Sequence, residues 1–321
     1  MIKITRIFLL TLLTLAFLVA GALAELERSQ FTGDPNSVVF KNPLAGQPEY
    51  LWWYGCSPTS GGMLMGHWYQ KGFTQLLPGV TDPMVQDANV RKAIASPAHI
   101  QAGADLGLTY GSWKNHDPDC IADFMKTEDG GSSADNIPLG LQGWTSYVGL
   151  ETKTAYHDWV SFYGGQFNYA DFKSEIDADR PMLLNLYTWT YSYGTVGHSV
   201  VGYGYQDNMF SLLNPLDYST INVPGFAVMD TWVNGVGSGK QSDWAKSDLT
   251  YQYSVLDADG REWWPFLDMS LTGGYSYSTI WDWQVFDGCF YEPQASVVPL
   301  PGTLLLLGSG LLVLGFRRRK S

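Results

Sequence analysis

Trp52-Trp53-Tyr54-Gly55-Cys56-Ser57-Pro58-Thr59-Ser60-Gly61-Gly62-Met63 reads as a turn running into a helix, with a cysteine at the junction. Pro58 suits a first helical position, and Ser57 or Thr59 can cap. The Cys56 thiol would then face the first exposed backbone N–H groups of a helix, where partial positive charge favours the thiolate. The plainer reading of the same residue is a small buried hydrophobe or half of a disulfide. The helix is expected from Pro58 to about Lys71, with Leu64 and Trp68 on one face, Met63 and His67 on the next, and Gly72 ending it. Gly61 and Gly62 inside it cost ~1 kcal/mol each relative to alanine, which implies close backbone packing beneath the cysteine.

The rest of the chain decides between these readings. At 321 residues and 45% hydrophobic content it can bury a sizeable core. It carries 19 basic and 31 acidic residues, a net charge of −12, with no basic face in its middle, so nucleic acid is excluded as a partner class. The 13 tryptophans and 19 tyrosines suit either a broad packed core or stacking surfaces for sugars.

Both ends read as targeting segments. Lys3 and Arg6, an apolar run from Ile7 to Val19, and Ala22-Leu23-Ala24 before Glu25 give the order of a secretory signal peptide, with cleavage expected after Ala24. Export implies an oxidising compartment, in which Cys120 and Cys289 could pair and leave Cys56 free. At the other end, Val298-Pro299-Leu300-Pro301-Gly302 leads into an apolar run closed by Arg317, Arg318, Arg319 and Lys320. Residues 297–316 have the ~20-residue length of a membrane span, and the basic cluster would stay cytoplasmic. The segment resembles the PEP-CTERM sorting signal of Gram-negative bacteria, although Val-Pro-Leu-Pro lacks the usual glutamate. That resemblance implies an exosortase-type sorting partner and delivery to the outer surface or an exopolysaccharide matrix. The organisation expected is a signal peptide over 1–24, one domain over 25–295 and a sorting segment over 296–321.

Within the domain, a short strand at Val38 to Phe40 and helices at Met84 to Ile94, Cys120 to Lys126 and Tyr169 to Ala178 are expected, followed by a buried strand at Met182 to Leu186. His116-Asp117-Pro118-Asp119-Cys120 has the composition of half a metal site, but no second pair at zinc spacing completes it, so no metal and no cofactor is expected. Gly197-His198-Ser199-Val200-Val201-Gly202-Tyr203-Gly204-Tyr205 is a strand opened by a histidine, and Phe226 to Trp232 is a strand carrying Asp230. Period-two alternation puts Phe226, Val228 and Asp230 on one face, and His198 with Val200, so paired neighbours would bring Asp230 to the His198 ring. A β-rich stretch from Leu249 to Tyr291 closes the domain.

A cysteine nucleophile needs a base, and that base needs an acceptor on its other nitrogen. The order Cys56, His198, Asp230 supplies these, and the 198 − 56 = 142 residue interval falls within the ~130–150 expected of papain-like enzymes. Asn214 is the alternative orienting residue. His67 lies too far along the helix that Cys56 heads, and His99, His116 and His157 fall in irregular regions as surface or structural residues. Gly-Cys-Ser-Pro-Thr, Gly-His-Ser-Val-Val-Gly-Tyr-Gly-Tyr and Asp-Thr-Trp together resemble the peptidase 39-like thiol peptidases, relatives of bacteriocin-processing enzymes in the papain-like clan, over roughly Gln47 to Trp232. The resemblance implies an α+β fold with the cysteine's helix packed on an antiparallel sheet. It assigns Cys56 as nucleophile, His198 as general base and acid, and Asp230 as orienting residue. Relatives place an oxyanion-binding glutamine about six residues before the cysteine; here that position is Tyr50, and the nearest glutamine is Gln47. The function expected is hydrolysis of peptide or isopeptide bonds in a peptide or protein substrate. A non-catalytic surface protein on the same fold and a thiol acyltransferase are the alternatives.

Overall fold

The computed structural model describes residues 39–40, 47–105, 111–128, 130–190, 194–213, 220–231, 255–256, 261–267 and 283–295. The expected signal peptide, the 297–316 segment, Asn214 and Trp232 lie outside them. In chain order the elements are β1 (Val39–Phe40), α1 (Cys56–Gln70), α2 (Ala88–Ile94), α3 (Pro97–Asp105), α4 (Ile121–Phe124), α5 (Asn136–Tyr147), β2 (Glu151–Trp159), α6 (Tyr169–Asp177), β3 (Met182–Thr190), β4 (Gly194–Leu213), β5 (Thr220–Met229), β6 (Val255–Leu256), β7 (Glu262–Pro265) and β8 (Gln284–Gln294). Among the described residues no helix is long and apolar enough to cross a membrane.

The strands form one antiparallel sheet in the order β2-β8-β3-β4-β5-β7-β6, with β1 paired to β4. β4 is its spine. It runs back against β3 from Thr190↔Gly194 to Met182↔Gly202, then continues along β5. The stretch before residue 295 closes the sheet from within, because β8 inserts between β2 and β3 rather than adding at an edge.

Alternation in these strands sorts side chains to two cores. Leu183, Val201, Met229 and Cys289 face the helical layer built around α1, together with Ile94, Ile121, Met125 and Leu141. Their neighbours Leu184, Val200 and Val228 face the other side, where Phe172 and Ile176 of α6 pack with Phe226, Trp264 and Phe266. Gly202 leaves room for Phe172, whose ring would lie 2.7 Å from a Cβ placed there.

α1 has no polar face because it has no solvent face: every residue from Cys56 to Trp68 is buried. Its glycines let other elements approach its backbone, since a Cβ at Gly61 would meet Met125 at 2.8 Å and one at Gly62 would meet Ile94 at 2.5 Å. Elements also differ from the sequence-based expectation. α2 begins at Ala88 rather than near Met84, because the Asp87 side chain accepts the N–H groups of Asn89 and Val90, both at 2.8 Å. α3 and α5 are additions to that expectation. α5 contains Pro138, Gly140 and Gly143, and at the two glycines the backbone of Met125 and the ring of Phe124 press in, 2.7 and 2.6 Å from where a Cβ would lie.

Gly140 gives a sign test of this packing. On an open helix Gly→Ala stabilises by ~1 kcal/mol; here Gly140→Ala drives a methyl into the Met125 backbone, so urea denaturation should show a loss of about 1–3 kcal/mol.

Candidate active site

The site begins at an elbow. α1 starts at Cys56 itself, with Gly55 as its N-cap and no side-chain cap, so neither Ser57 nor Thr59 caps and Pro58 stands in the first turn rather than at its opening. Tyr54 and Gly55 both hold positive φ, 56° and 141°. A Cβ at Gly55 would lie 2.9 Å from the Pro58 ring and 3.0 Å from Thr127, so this corner admits only glycine. Thr59 locks the elbow from within: its hydroxyl donates to the Gly55 carbonyl at 2.6 Å and accepts the Trp53 N–H at 3.0 Å. Pro58 has no N–H and that of Thr59 is bonded to the Gly55 carbonyl at 3.2 Å, so the head of the helix offers the N–H groups of Cys56 and Ser57.

β4 brings the histidine. The pairing Val201↔Met229, continued one step, sets Asp230 opposite Val200 and diagonal to His198. His198 Nε2 lies 2.7 Å from Asp230 Oδ1, with Asp230 fully buried, and the ring packs against Trp283 at a centroid distance of 5.5 Å. The ring also stands close enough to the Cys56 thiol for each to favour the charged form of the other. With Nε2 engaged by Asp230, Nδ1 is the nitrogen that serves the sulfur.

The electrostatics of the pair follow from this burial. Desolvation pushes the Cys56 thiol up, but the hydrogen bond and charge of His198, the Ser199 backbone N–H and the Ser57 hydroxyl outweigh it and leave the thiol below its ordinary value. Burial disfavours a charged His198, yet the Asp230 carboxylate, by charge and by hydrogen bond, and Cys56 raise its pKa to about 9. Both shifts run in the direction that favours a thiolate beside an imidazolium. Cys56 keeps 8% of its surface exposed, His198 2%.

A polar chain behind the cysteine lies beyond the reach of the sequence motifs. Ser57 and Ser199 share a hydroxyl hydrogen bond of 2.8 Å, and Ser60 donates to the Ser199 carbonyl at 2.8 Å. The Ser199 hydroxyl donates to Asn185 Oδ1 at 2.7 Å, and Asn185 Nδ2 donates to Asp287 Oδ1 at 2.8 Å. Asp287 in turn binds His157 Nδ1. The chain fastens the head of α1 to β4, β3 and β8 in succession. One signal of it stands in the sequence: Asn185 interrupts the apolar run Met182-Leu183-Leu184-Asn185-Leu186, where a buried polar residue needs partners.

Gln47 is not brought to Cys56. Its Oε1 lies 3.1 Å from Nδ1 of His67, which burial lowers to a pKa of about 4 and so keeps neutral. His67 is 67 − 56 = 11 residues along α1, roughly 16 Å at ~1.5 Å per residue. Residues 47–50 run beside the later turns of α1, with Pro48 and Tyr50 filling the hollow at Gly66, and the Tyr50 hydroxyl donates to the Pro83 carbonyl at 2.5 Å. The expected pairing of Cys120 with Cys289 is also corrected: all three cysteines are free and buried. Cys120 directs its sulfur to Asp123 Oδ2 at 3.0 Å, whereas Cys289 lies in β8 between His157 of β2 and Leu183 of β3.

Asn185→Leu should reveal the weight of the polar chain. It leaves Ser199 and the buried Asp287 each short of a partner, at about 1–3 kcal/mol per stranded group, so the loss on urea denaturation should exceed that of Gly140→Ala.

Two comparisons bear on these residues. Residues 35–253 match the Peptidase_C39 like family, and residues 297–320 match the PEP-CTERM protein-sorting motif, which marks exported, C-terminally anchored proteins of Gram-negative bacteria. No curated protein and no solved structure matches the chain. The first match covers more than half of the sequence and contains Cys56, His198 and Asp230, and its papain-like α+β fold is the one described above. The chain belongs to the Peptidase_C39 like family.

Proposed function

We propose that this exported, peptidase-like protein is a thiol hydrolase cleaving peptide or isopeptide bonds, with Cys56 as nucleophile, His198 as general base and acid, and Asp230 as the residue that orients it. The observation that carries the reading is the buried His198 ring, held by Asp230 at 2.7 Å on one nitrogen and close enough to Cys56 to favour its thiolate. The Cys56 thiolate attacks the carbonyl carbon, and the His198 imidazolium gives its proton to the leaving amine as the C–N bond breaks. Water then attacks the thioester while His198 takes its proton, and the acid leaves as the thiolate returns. Asp230 keeps the ring oriented and stabilises its charged form. The oxyanion falls to the N–H groups at the head of α1, because Gln47 is held at the far end of that helix. Loss of one oxyanion donor costs ~10²–10³ in rate, so turnover should be slow.

The same observation about Gln47 favours a second reading, a non-catalytic surface protein that keeps the fold and uses its aromatic residues to bind matrix polysaccharide. An acyltransferase would use the same three residues and differ in its acceptor. The organisation that goes with the first reading is a signal peptide cleaved after Ala24, a peptidase-like body over 25–295 and a sorting segment over 296–321 processed by an exosortase-type enzyme.

Reactivity separates these readings. Iodoacetamide at pH 7, followed by peptide mapping, should modify Cys56 at least ~10-fold faster in the wild type than in His198→Ala, since each pKa unit of thiol shift is a tenfold change in thiolate fraction. The wild-type rate should fall on acidification as Cys56 takes up its proton, and hydrolysis should fall again above about 9 as His198 loses its own. Equal, slow labelling in both proteins contradicts the hydrolase reading. Fast labelling without cleavage of a mixed peptide pool would move the balance to the binding protein.

A further inference from the structure

The stretch Leu51-Trp52-Trp53 ahead of the nucleophile has no part in the triad, yet it is pinned residue by residue. The Gln86 side chain accepts the Leu51 N–H at 3.0 Å and donates to the Leu51 carbonyl at 2.8 Å. Trp52 donates its N–H to the carbonyl of Thr231, the residue after Asp230, at 2.9 Å. Trp53 is held by the Thr59 hydroxyl in the first turn of α1. One short stretch therefore touches the chain that carries Asp230 and runs on into Cys56. The Trp53 ring leaves it on the side of α2, with Nε1 3.4 Å from the Ala95 carbonyl.

That ring is one wall of a hollow of about 350 Å³ between α2 and the start of α3, a volume within the range of small-ligand pockets. Pro97 and Ile100 continue its apolar surface, and Arg91 and Lys92 supply two cations. The Arg91 guanidinium lies over the Trp53 ring, 4.9 Å from its centroid. Cation–π attraction holds it there and leaves its N–H edge free to hydrogen bond. Among the described residues neither Arg91 nor Lys92 has a carboxylate partner. Asp87 also borders the hollow, but its Oδ1 caps α2 by accepting the N–H groups of Asn89 and Val90. In a chain of net charge −12, two cations to one carboxylate around an aromatic wall make a local positive site.

We propose, on the hydrolase reading above, that this hollow is a substrate subsite selecting an acidic side chain, whose carboxylate pairs with Arg91 and whose methylenes rest on Trp53, Pro97 and Ile100. A planar guanidinium stacked on an indole presents parallel N–H groups to a carboxylate, and Lys92 adds a second charge without a fixed geometry. The rest of an acidic surface repels an acidic peptide, so these two cations set where along the substrate a carboxylate is accepted. Three peptide units separate Trp53 from Cys56, which places their Cα atoms at most ~11 Å apart. An extended substrate advances ~3.3 Å per residue, so the selected side chain stands about three to five positions from the bond that is cut.

Thiol-reactive peptides test the subsite on both sides of the cut. One series of alanine-based chloromethyl ketones extends to the N-terminal side of the electrophile, and one of bromoacetyl peptides to the C-terminal side, each with a single Glu, Gln or Lys moved along the chain. The second-order rate of Cys56 alkylation, read by mass spectrometry, should be at least ~5-fold higher with Glu than with Gln at one position in one series, and lowest there with Lys. Arg91→Gln should abolish the preference, and Arg91→Glu should invert it so that Lys reacts fastest. The rates are compared within one protein, so partial unfolding of a variant cannot produce the inversion. Equal rates for Glu and Gln at every position in the wild type overturn the proposal, as does a Glu preference that survives both substitutions. Fast labelling by iodoacetamide with no preference among the peptides removes the subsite and leaves the hydrolase reading standing; slow labelling by iodoacetamide and peptides alike removes both.

Discussion

A cysteine at the head of a helix gains thiolate character from the helix, but a buried one loses more to desolvation than partial charges return. What tips the balance here is a second charge, and that charge is placed by strand register. β5 leaves the ladder just after Met229, opposite Val201, so Asp230 comes to the His198 ring where the chain departs. In the same place the Ser199 backbone N–H turns to the Cys56 sulfur. A slip of one residue between β4 and β5 would turn Asp230 to the opposite face and leave the imidazole buried without its carboxylate. The bulges between Gly202 and Gly204 and between Gln206 and Phe210 come after the two pairs Val201↔Met229 and Gly202↔Val228, which are the ones that set the site.

The surroundings hold the helix head to that register. Glycines along α1 let Met125, Ile94 and Tyr50 pack onto its backbone, and the Ser57–Ser199–Asn185–Asp287 chain fixes its first turn to three strands. Positive φ at Tyr54 and Gly55 lets the chain enter the helix at so sharp an angle. Such conformations cost about 1–3 kcal/mol each and persist where neighbours over-determine them; Thr59, Pro58 and Thr127 do so here.

Much of this is legible in the sequence, and the physical reason is that chemistry is local. The glycine-flanked cysteine, the histidine opening a glycine-rich strand and the acid ending another each announce themselves within a few residues, and their order and spacing point to the family and fold. What stays hidden depends on contacts between distant segments. α5 is concealed because Gly140 and Gly143 look like breakers until Met125 and Phe124 are seen against them. β5 reaches back to Thr220, although Pro224 and Gly225 argue against a strand there; Gly225 accommodates the Met209 sulfur, which occupies the space a Cβ would need. Gln47 is the nearest glutamine in sequence but is held beside His67 by the path of residues 47–50. His99 lies 17 residues before His116 (116 − 99), and the two meet only in three dimensions, where both are partners of the buried Asp123 carboxylate.

The central claim is that the buried His198 holds the Cys56 thiol below its ordinary pKa. Its most direct test is the ultraviolet thiolate absorbance of the wild type minus that of Cys56→Ser, followed across pH, since burial holds Cys120 and Cys289 above the ordinary thiol range and the difference isolates Cys56. The account predicts that the Cys56 thiolate forms below the ordinary thiol value of about 8.5, and that His198→Ala moves its titration upward. A Cys56 that titrates at or above that value in the wild type, or at the same pH in both proteins, would contradict it.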